Sequence, residues 1–230
     1  MSAIEVLYED NHLIAINKRS GDIVQGDKTG DTSLCDKVKD YLKESYQKPG
    51  NVFCGVIHRI DRPVSGVVLF AKTSKALSRM NVMIQNRDIH KLYWAIVKQS
   101  PPAPHALLIH YLKKNEKNNK VFVLSTPKKG YLKAEMEYTY IMSSQQYHLL
   151  EVILKTGRHH QIRAQLSAIN CPIKGDLKYG YSRSNPDASI SLHARKINFI
   201  HPVSREEISI TAPVPEDNLW LFFEENSNNK

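Results

Sequence analysis

The spacing of apolar residues changes three times over the first ninety positions. Ile4 to Tyr8 and His12 to Asn17 are short β-rich runs separated by the turn-prone Glu9-Asp10-Asn11, which predicts an opening hairpin. Between Thr32 and Tyr46 the apolar residues Leu34, Val38, Tyr41 and Leu42 repeat as one helical face, with Ser33 and Asp36 placed as an N-cap pair. That helix ends before Pro49-Gly50. A strand follows at Gly66 to Ala71, then a helix from Ser74 to Asn86 whose Leu77, Met80 and Ile84 share a face, so its methionines read as core.

From His90 to Leu154 the pattern shortens to successive strands, KLYWAIVK, ALLIHYLK, KVFVLS, LKAEMEYTYIM and YHLLEVILK, several alternating with period two. They predict an antiparallel meander. Pro101, Pro102 and Pro104 mark a loop inside it and not a domain linker, because the β pattern resumes at once. A helix is expected over about Arg158 to Ile169, then a loop to Pro186, strands near Ser189 to Ile200 and Glu207 to Thr211, and a short helix around Glu216 to Phe223. The chain thus reads as α+β, dominated by sheet, without internal repeats.

At 230 residues, 41% hydrophobic and 24% charged, the chain can bury a core without a metal or disulfide staple, which excludes a disordered tail protein. Thirty-two basic against 23 acidic residues give +9 at pH 7, a surface that attracts polyanions, with nucleic acid first among them. Cys35, Cys54 and Cys171 are odd in number and never form C-x-x-C, which argues against a disulfide framework or a thiolate zinc site and for a reducing compartment. The N-terminus has no basic leader, and no stretch nears the ~18 apolar residues of a membrane span, so a cytoplasmic protein is expected.

The densest polar segment, Ile57-His58-Arg59-Ile60-Asp61-Arg62-Pro63-Val64-Ser65-Gly66, lies directly before an apolar strand, where a sheet edge can present reactive groups. One carboxylate among two arginines and a histidine should stay ionised and serve as nucleophile or base, or else as half of a structural ion pair. A second cluster, Lys155-Thr156-Gly157-Arg158-His159-His160-Gln161-Ile162-Arg163, enters the expected helix and suits an anion. His159 and His160 would point apart on that helix, which with no third ligand in sight speaks against zinc and for hydrogen bonding or RNA contact. The run Lys113, Lys114, Lys117, Lys120, Lys128, Lys129 and Lys133 reads either as a solvated hairpin face or as a contact for phosphates.

HRIDRPVSGVVLFAKT resembles the signature H-R-L-D-R-x-x-S-G of the RluA family of pseudouridine synthases, with Ile60 in place of leucine. HKLYWAIV is similar to that family's K-x-Y-x-A strand, LKTGRHHQIRAQLSAINCPIKGDLKYG to its L-x-T-G-R-x-H-Q-I-R…P-I-x-G-D-x-x-Y-G block, and SLHARKINFIHP to its L-H-A…F-x-H-P. The four blocks stand in the family's order over residues 57 to 202. The resemblance implies one catalytic domain over residues 1–230, on a mixed, largely antiparallel sheet with helices and loops around a central RNA cleft. It also implies a stand-alone member, since the S4 RNA-binding domain found in many relatives has no counterpart in these residues.

By the same resemblance Asp61 is the essential aspartate, attacking sugar or base or removing a ribose proton. Tyr93 is the tyrosine that packs on the uracil and assists the final proton removal, and Arg163 is the arginine that pairs with the catalytic carboxylate. Arg59 is the residue that helps displace the flipped nucleotide, Arg62 a phosphate contact, and Arg158 and His160 further RNA-facing groups. Isomerising uridine changes no redox state and moves no group in or out, so neither cofactor nor metal is expected. The expected partner is structured ribosomal or transfer RNA, met by a monomer away from membranes. Two other readings are a metal-independent ribonuclease with His58 and His160 as acid and base, and a non-catalytic RNA-binding module.

Overall fold

The structure, a computed structural model, describes residues 4–26 and 30–227. The ends of the expected 1–230 domain and residues 27–29 lie outside the described residues. Two compact units arise, Met1–Lys91 with Ala194–Pro213, and Leu92–His193 with Val214–Lys230.

In the first unit the opening hairpin forms as β1 (Val6–Glu9) and β2 (Leu13–Lys18). Asp10 turns the chain by accepting from the backbone N–H of His12 and Leu13 at 2.7 and 2.6 Å. On its other edge β2 pairs antiparallel with β4 (Ser65–Ala71), Ile14 opposite Phe70 and Ile16 opposite Val68. Every β4 residue is buried, which explains a run of apolar residues with no alternation. A two-residue strand, β3 (Gly55–Val56), also pairs with β4 and is too short to leave a sequence period. β4 neighbours β10 (Leu192–Ile200), and β11 (Glu207–Thr211) pairs antiparallel with β10.

Helix α1 (Leu34–Ser45) starts where Ser33 Oγ accepts from the Asp36 N–H at 3.2 Å, the predicted cap. Its Leu34, Val38 and Leu42 pack with Ile14, Ile16, Val68 and Phe70, and each such buried side chain is worth about 1.5–3 kcal/mol. Helix α2 (Ser74–Asn86) is capped by Thr73 and stops at Arg87, whose φ of 66° is left-handed. Gly66 sits at φ +112° and a Cβ there would stand 2.3 Å from the Ala194 carbonyl oxygen, so the close approach of β4 to β10 demands the glycine of the Ser-Gly pair.

The second unit holds β5 (His90–Val97, from Leu92 onward), β6 (His105–Asn115), β7 (Lys120–Leu124), β8 (Leu132–Ser143) and β9 (His148–Leu154). The strands are antiparallel as predicted, but the meander is not their order. β5 pairs with β9, β9 with β8, and β8 with the first part of β6, whose last five residues pair with short β7. Long β6 and β8 can each serve two partners, and the loop at Pro101 to Pro104 carries the chain past β9 and β8.

Helix α3 (Gln161–Ala168) is shorter than predicted at its start because His160 is left-handed at φ 48°, so residues 158–160 belong to the preceding turn. A single 3-10 turn, Leu177–Tyr179, follows, and α4 (Asn218–Ser227) begins two residues later than expected, after Asp217 accepts from the Leu219 N–H. Trp220 and Phe223 of α4 pack with Trp94, Ile96 and Leu149, and α3 meets β6 to β8 through Ala164, Leu112, Val121 and Ala134. No helix among the described residues is long and apolar enough to cross a membrane.

Candidate active site

In the first unit the segment before β4 is held by a buried cation that sequence reading missed. Lys18, the last residue of β2 and 1% exposed, donates its ammonium protons to the carbonyls of Arg19 (2.9 Å), Arg62 (3.0 Å) and Val64 (2.7 Å). Removal from water pulls its pKa down to about 8, while the charges of Asp22 and Asp61 act the other way. The backbone N–H of Gly21 donates to the Arg62 carbonyl at 2.9 Å, and the Val64 N–H closes a turn onto the Asp61 carbonyl at 3.0 Å. Asp61, partly buried, therefore projects from a loop whose backbone is tied to the end of β2.

Lys18→Met keeps the packed stem but loses every donor, so the Asp61 loop should loosen. Turnover is expected to fall by more than about tenfold, since a misplacement of about 1 Å at a reacting group can cost ~10²-fold. Single-turnover rates together with RNA affinity check this, with the fall expected in the rate and affinity within about twofold.

The other members of this segment differ in exposure. Arg59 is exposed and, with His58, lines a cleft of about 780 Å³. Arg62 is half exposed and paired with Asp31 at 2.9 Å, a surface contact. His58 is structural: its Nε2 accepts from the Leu69 N–H at 3.2 Å, continuing the β4 edge beyond β3, and its Nδ1 is buried with no hydrogen-bond partner. Burial first, then the charge of Lys91, pulls its pKa down to about 3. A neutral imidazole with one nitrogen committed to backbone is unsuited to acid–base work, which corrects the ribonuclease reading of His58.

In the second unit Tyr93 stands on β5 opposite Val152, 7% exposed. The Thr156 to Gln161 turn is braced by Gln161, whose Oε1 accepts from Thr156 Oγ1 (2.8 Å) and the Arg158 N–H (2.9 Å) while its Nε2 donates to the Glu135 carbonyl (3.0 Å). Arg158 is exposed and its Nε donates to the Lys133 carbonyl at 3.1 Å. Because His160 lies outside the helix, His159 and His160 do not point apart as predicted: their rings stack at 3.8 Å between centroids. His160 Nδ1 lies 2.9 Å from the Tyr179 hydroxyl, which also accepts from the Val121 N–H.

Arg163, 5% exposed, is clamped by Asp176: its Nε–H meets Oδ2 at 2.7 Å and its Nη2–H meets Oδ1 at 2.9 Å. Its guanidinium also lies over the Tyr179 ring, 5.1 Å from the centroid. A two-bonded fork that also sits over an aromatic ring is held in one orientation. Asp176 belongs to the G-D of the third sequence block and was the available signal for this partner. The lysine run spans the β6–β7 hairpin, the β7–β8 connection and the start of β8, where Lys114 pairs with Glu116, Lys133 pairs with Glu135, and Lys113 and Lys120 lie over Tyr131 and Tyr179.

The profile of the RNA pseudouridylate synthase family matches residues 12–168. The chain is 34% identical over 224 residues to the ribosomal large subunit pseudouridine synthase C of Buchnera aphidicola, covering 92% of this chain and 68% of that protein. It is 30% identical over 236 residues to the tRNA pseudouridine synthase C of Vibrio vulnificus, covering 94% and 92%. Among solved structures, human RNA pseudouridylate synthase domain containing 4 superposes with a TM-score of 0.78 at 21% identity, covering 97% of this chain and 93% of that one. The shared fold is the mixed, mostly antiparallel sheet with flanking helices that the sequence predicts.

Proposed function

The chain belongs to the RNA pseudouridylate synthase family and is an isomerase of RNA uridines; on that premise we propose that it converts specific uridines of ribosomal or transfer RNA to pseudouridine, with Asp61 as the essential carboxylate. The observation that carries the assignment is the built loop: a buried ammonium on three carbonyls tethers the backbone from which Asp61 projects. Such tethering matches what a reacting group needs, a position fixed before substrate arrives.

Tyr93 packs against the uracil, Arg163 pairs with Asp61, and Arg59 helps expel the target nucleotide. Arg62, Arg158 and His160 contact the RNA. The chain works as one catalytic domain and as a monomer in the cytoplasm, without cofactor or metal, because the uracil only leaves C1′ through N1 and returns through C5. The basic surface, +9 overall, offsets part of the cost of unstacking the target base, a few kcal/mol. The reading of both RNA classes draws support from relatives named as a ribosomal large subunit pseudouridine synthase and a tRNA pseudouridine synthase.

The test is to incubate the purified chain with ribosomal and transfer RNA from cells lacking its gene and to map pseudouridine by carbodiimide-dependent primer extension. One or a few new stops are expected, in either RNA class. Cleaved RNA without new stops would return the ribonuclease reading, and tight binding with neither change would make the chain a binding module.

A further inference from the structure

A pair of cysteines stands apart from the residues assigned to the reaction. Cys35 is the second residue of α1, and Cys54 immediately precedes β3. They are 19 positions apart in sequence, yet the Cys35 S–H donates to the Cys54 backbone carbonyl oxygen at 3.4 Å, which brings the two residues side by side. Both line the cleft of about 780 Å³ together with Ser33, Asp36, Lys39 and Arg59, Cys54 half-buried and Cys35 7% exposed. A thiol in the first turn of a helix lies where the backbone amides favour negative charge.

We propose that Cys35 and Cys54 form an oxidisable dithiol that a hydroperoxide entering this cleft converts to an intrachain disulfide. Cys35 thiolate attacks the outer peroxide oxygen, breaking the O–O bond, taking up that oxygen as sulfenic acid and releasing an alkoxide, or hydroxide from hydrogen peroxide, that is then protonated. The Cys54 sulfur then attacks the Cys35 sulfur; the S–O bond breaks, the S–S bond forms, and hydroxide leaves with the Cys54 proton as water. Two thiols and one hydroperoxide thus give one disulfide, one alcohol (water, from hydrogen peroxide) and one water, the sulfurs losing two electrons that the peroxide gains.

The division of labour between the sulfurs follows from their surroundings. The Cys54 thiol directed at Cys35, with Lys39 nearby, brings Cys35 down to about 7 against the opposing effects of burial and Asp36. Cys54 is pushed up by the same hydrogen bond and by burial, so it acts second. Cys171 provides an internal reference: it is buried, its S–H points to the Ser100 carbonyl at 3.7 Å, and burial raises its pKa.

The test uses the full chain, reduced, then exposed to hydrogen peroxide at pH 7.5, quenched with an alkylating agent and mapped by mass spectrometry. The expected product is a monomer lighter by two hydrogens, with a Cys35–Cys54 cross-linked peptide, an alkylated Cys171 and full reversal by a dithiol reductant. With Cys54→Ser, Cys35 should halt at sulfenic acid, trapped by dimedone; with Cys35→Ser, Cys54 should remain an alkylatable thiol. Cys35 driven straight to sulfinic acid in the wild type, disulfides between chains, or Cys171 oxidising as fast as Cys35 would each overturn the proposal.

Discussion

Asp61→Asn is expected to lower single-turnover pseudouridine formation by at least about 10³-fold, the order lost when an essential group of a catalytic unit is removed. Asparagine occupies nearly the same volume, so the turn closed by the Val64 N–H on the residue 61 carbonyl persists, and so does the Lys18 clamp on Arg62 and Val64. What disappears is the charge: an amide can neither attack carbon nor accept a proton at useful rates. RNA affinity should change by less than about threefold, because contacts to phosphate dominate nucleic-acid binding. Filter binding beside rapid-quench kinetics separates the two effects. Residual turnover within tenfold of wild type would remove Asp61 from the chemistry.

The second large effect is expected from the arginines, and it tells their roles apart. Arg163→Lys keeps a positive charge but can no longer place the two N–H groups of a fork on the two Asp176 oxygens, now 2.7 and 2.9 Å away, nor keep a guanidinium over Tyr179. The cation then wanders, and the loss of one charged hydrogen bond, about 1.5–3 kcal/mol, corresponds to a fall in rate of about tenfold to a hundredfold. If Arg163 aims Asp61, that fall should be the same on a stem-loop substrate and on one whose target uridine is already unstacked. Arg59→Ala should behave differently: as an exposed side chain assigned to nucleotide expulsion, its loss should hurt the stem-loop far more than the unstacked RNA. Rescue of Arg163→Lys by destabilising the stem, with no rescue of Arg59→Ala, would mean the two roles are reversed.

The elements that sequence reading placed well share one property, that their signal is local. α1 declared itself through an apolar face and a Ser33/Asp36 cap, and β11 through a short alternating run; both form over the expected residues. The four motif blocks carried the family and the identity of the candidate residues, because those side chains and their neighbours are adjacent in the chain. Where sequence reading failed, the deciding contact was distant or hung on one dihedral angle. The start of α3 and the stacking of His159 on His160 depend on a left-handed φ at His160, a residue that tolerates that region without announcing it.

Strand order is the larger case. The period-two pattern assigns residues to the faces of a strand but says nothing about which strand lies alongside, so a meander and the observed β5-β9-β8-β6-β7 path were equally compatible with it. The residues that hold the site were hidden for the same reason. Lys18 reads as an ordinary polar end to a strand until the fold brings the Arg62 and Val64 carbonyls, 44 and 46 positions away, onto its ammonium. Cys35 and Cys54 read as two unrelated thiols until α1 packs against the segment leading to β3. Sequence by itself determined most of the elements, the family and the candidate chemistry, all written in neighbouring residues; tertiary structure alone decided strand order, short β3, the Lys18 clamp, the Asp176 grip on Arg163 and the meeting of the cysteines, because each of these depends on where the folded backbone brings groups apart in sequence together.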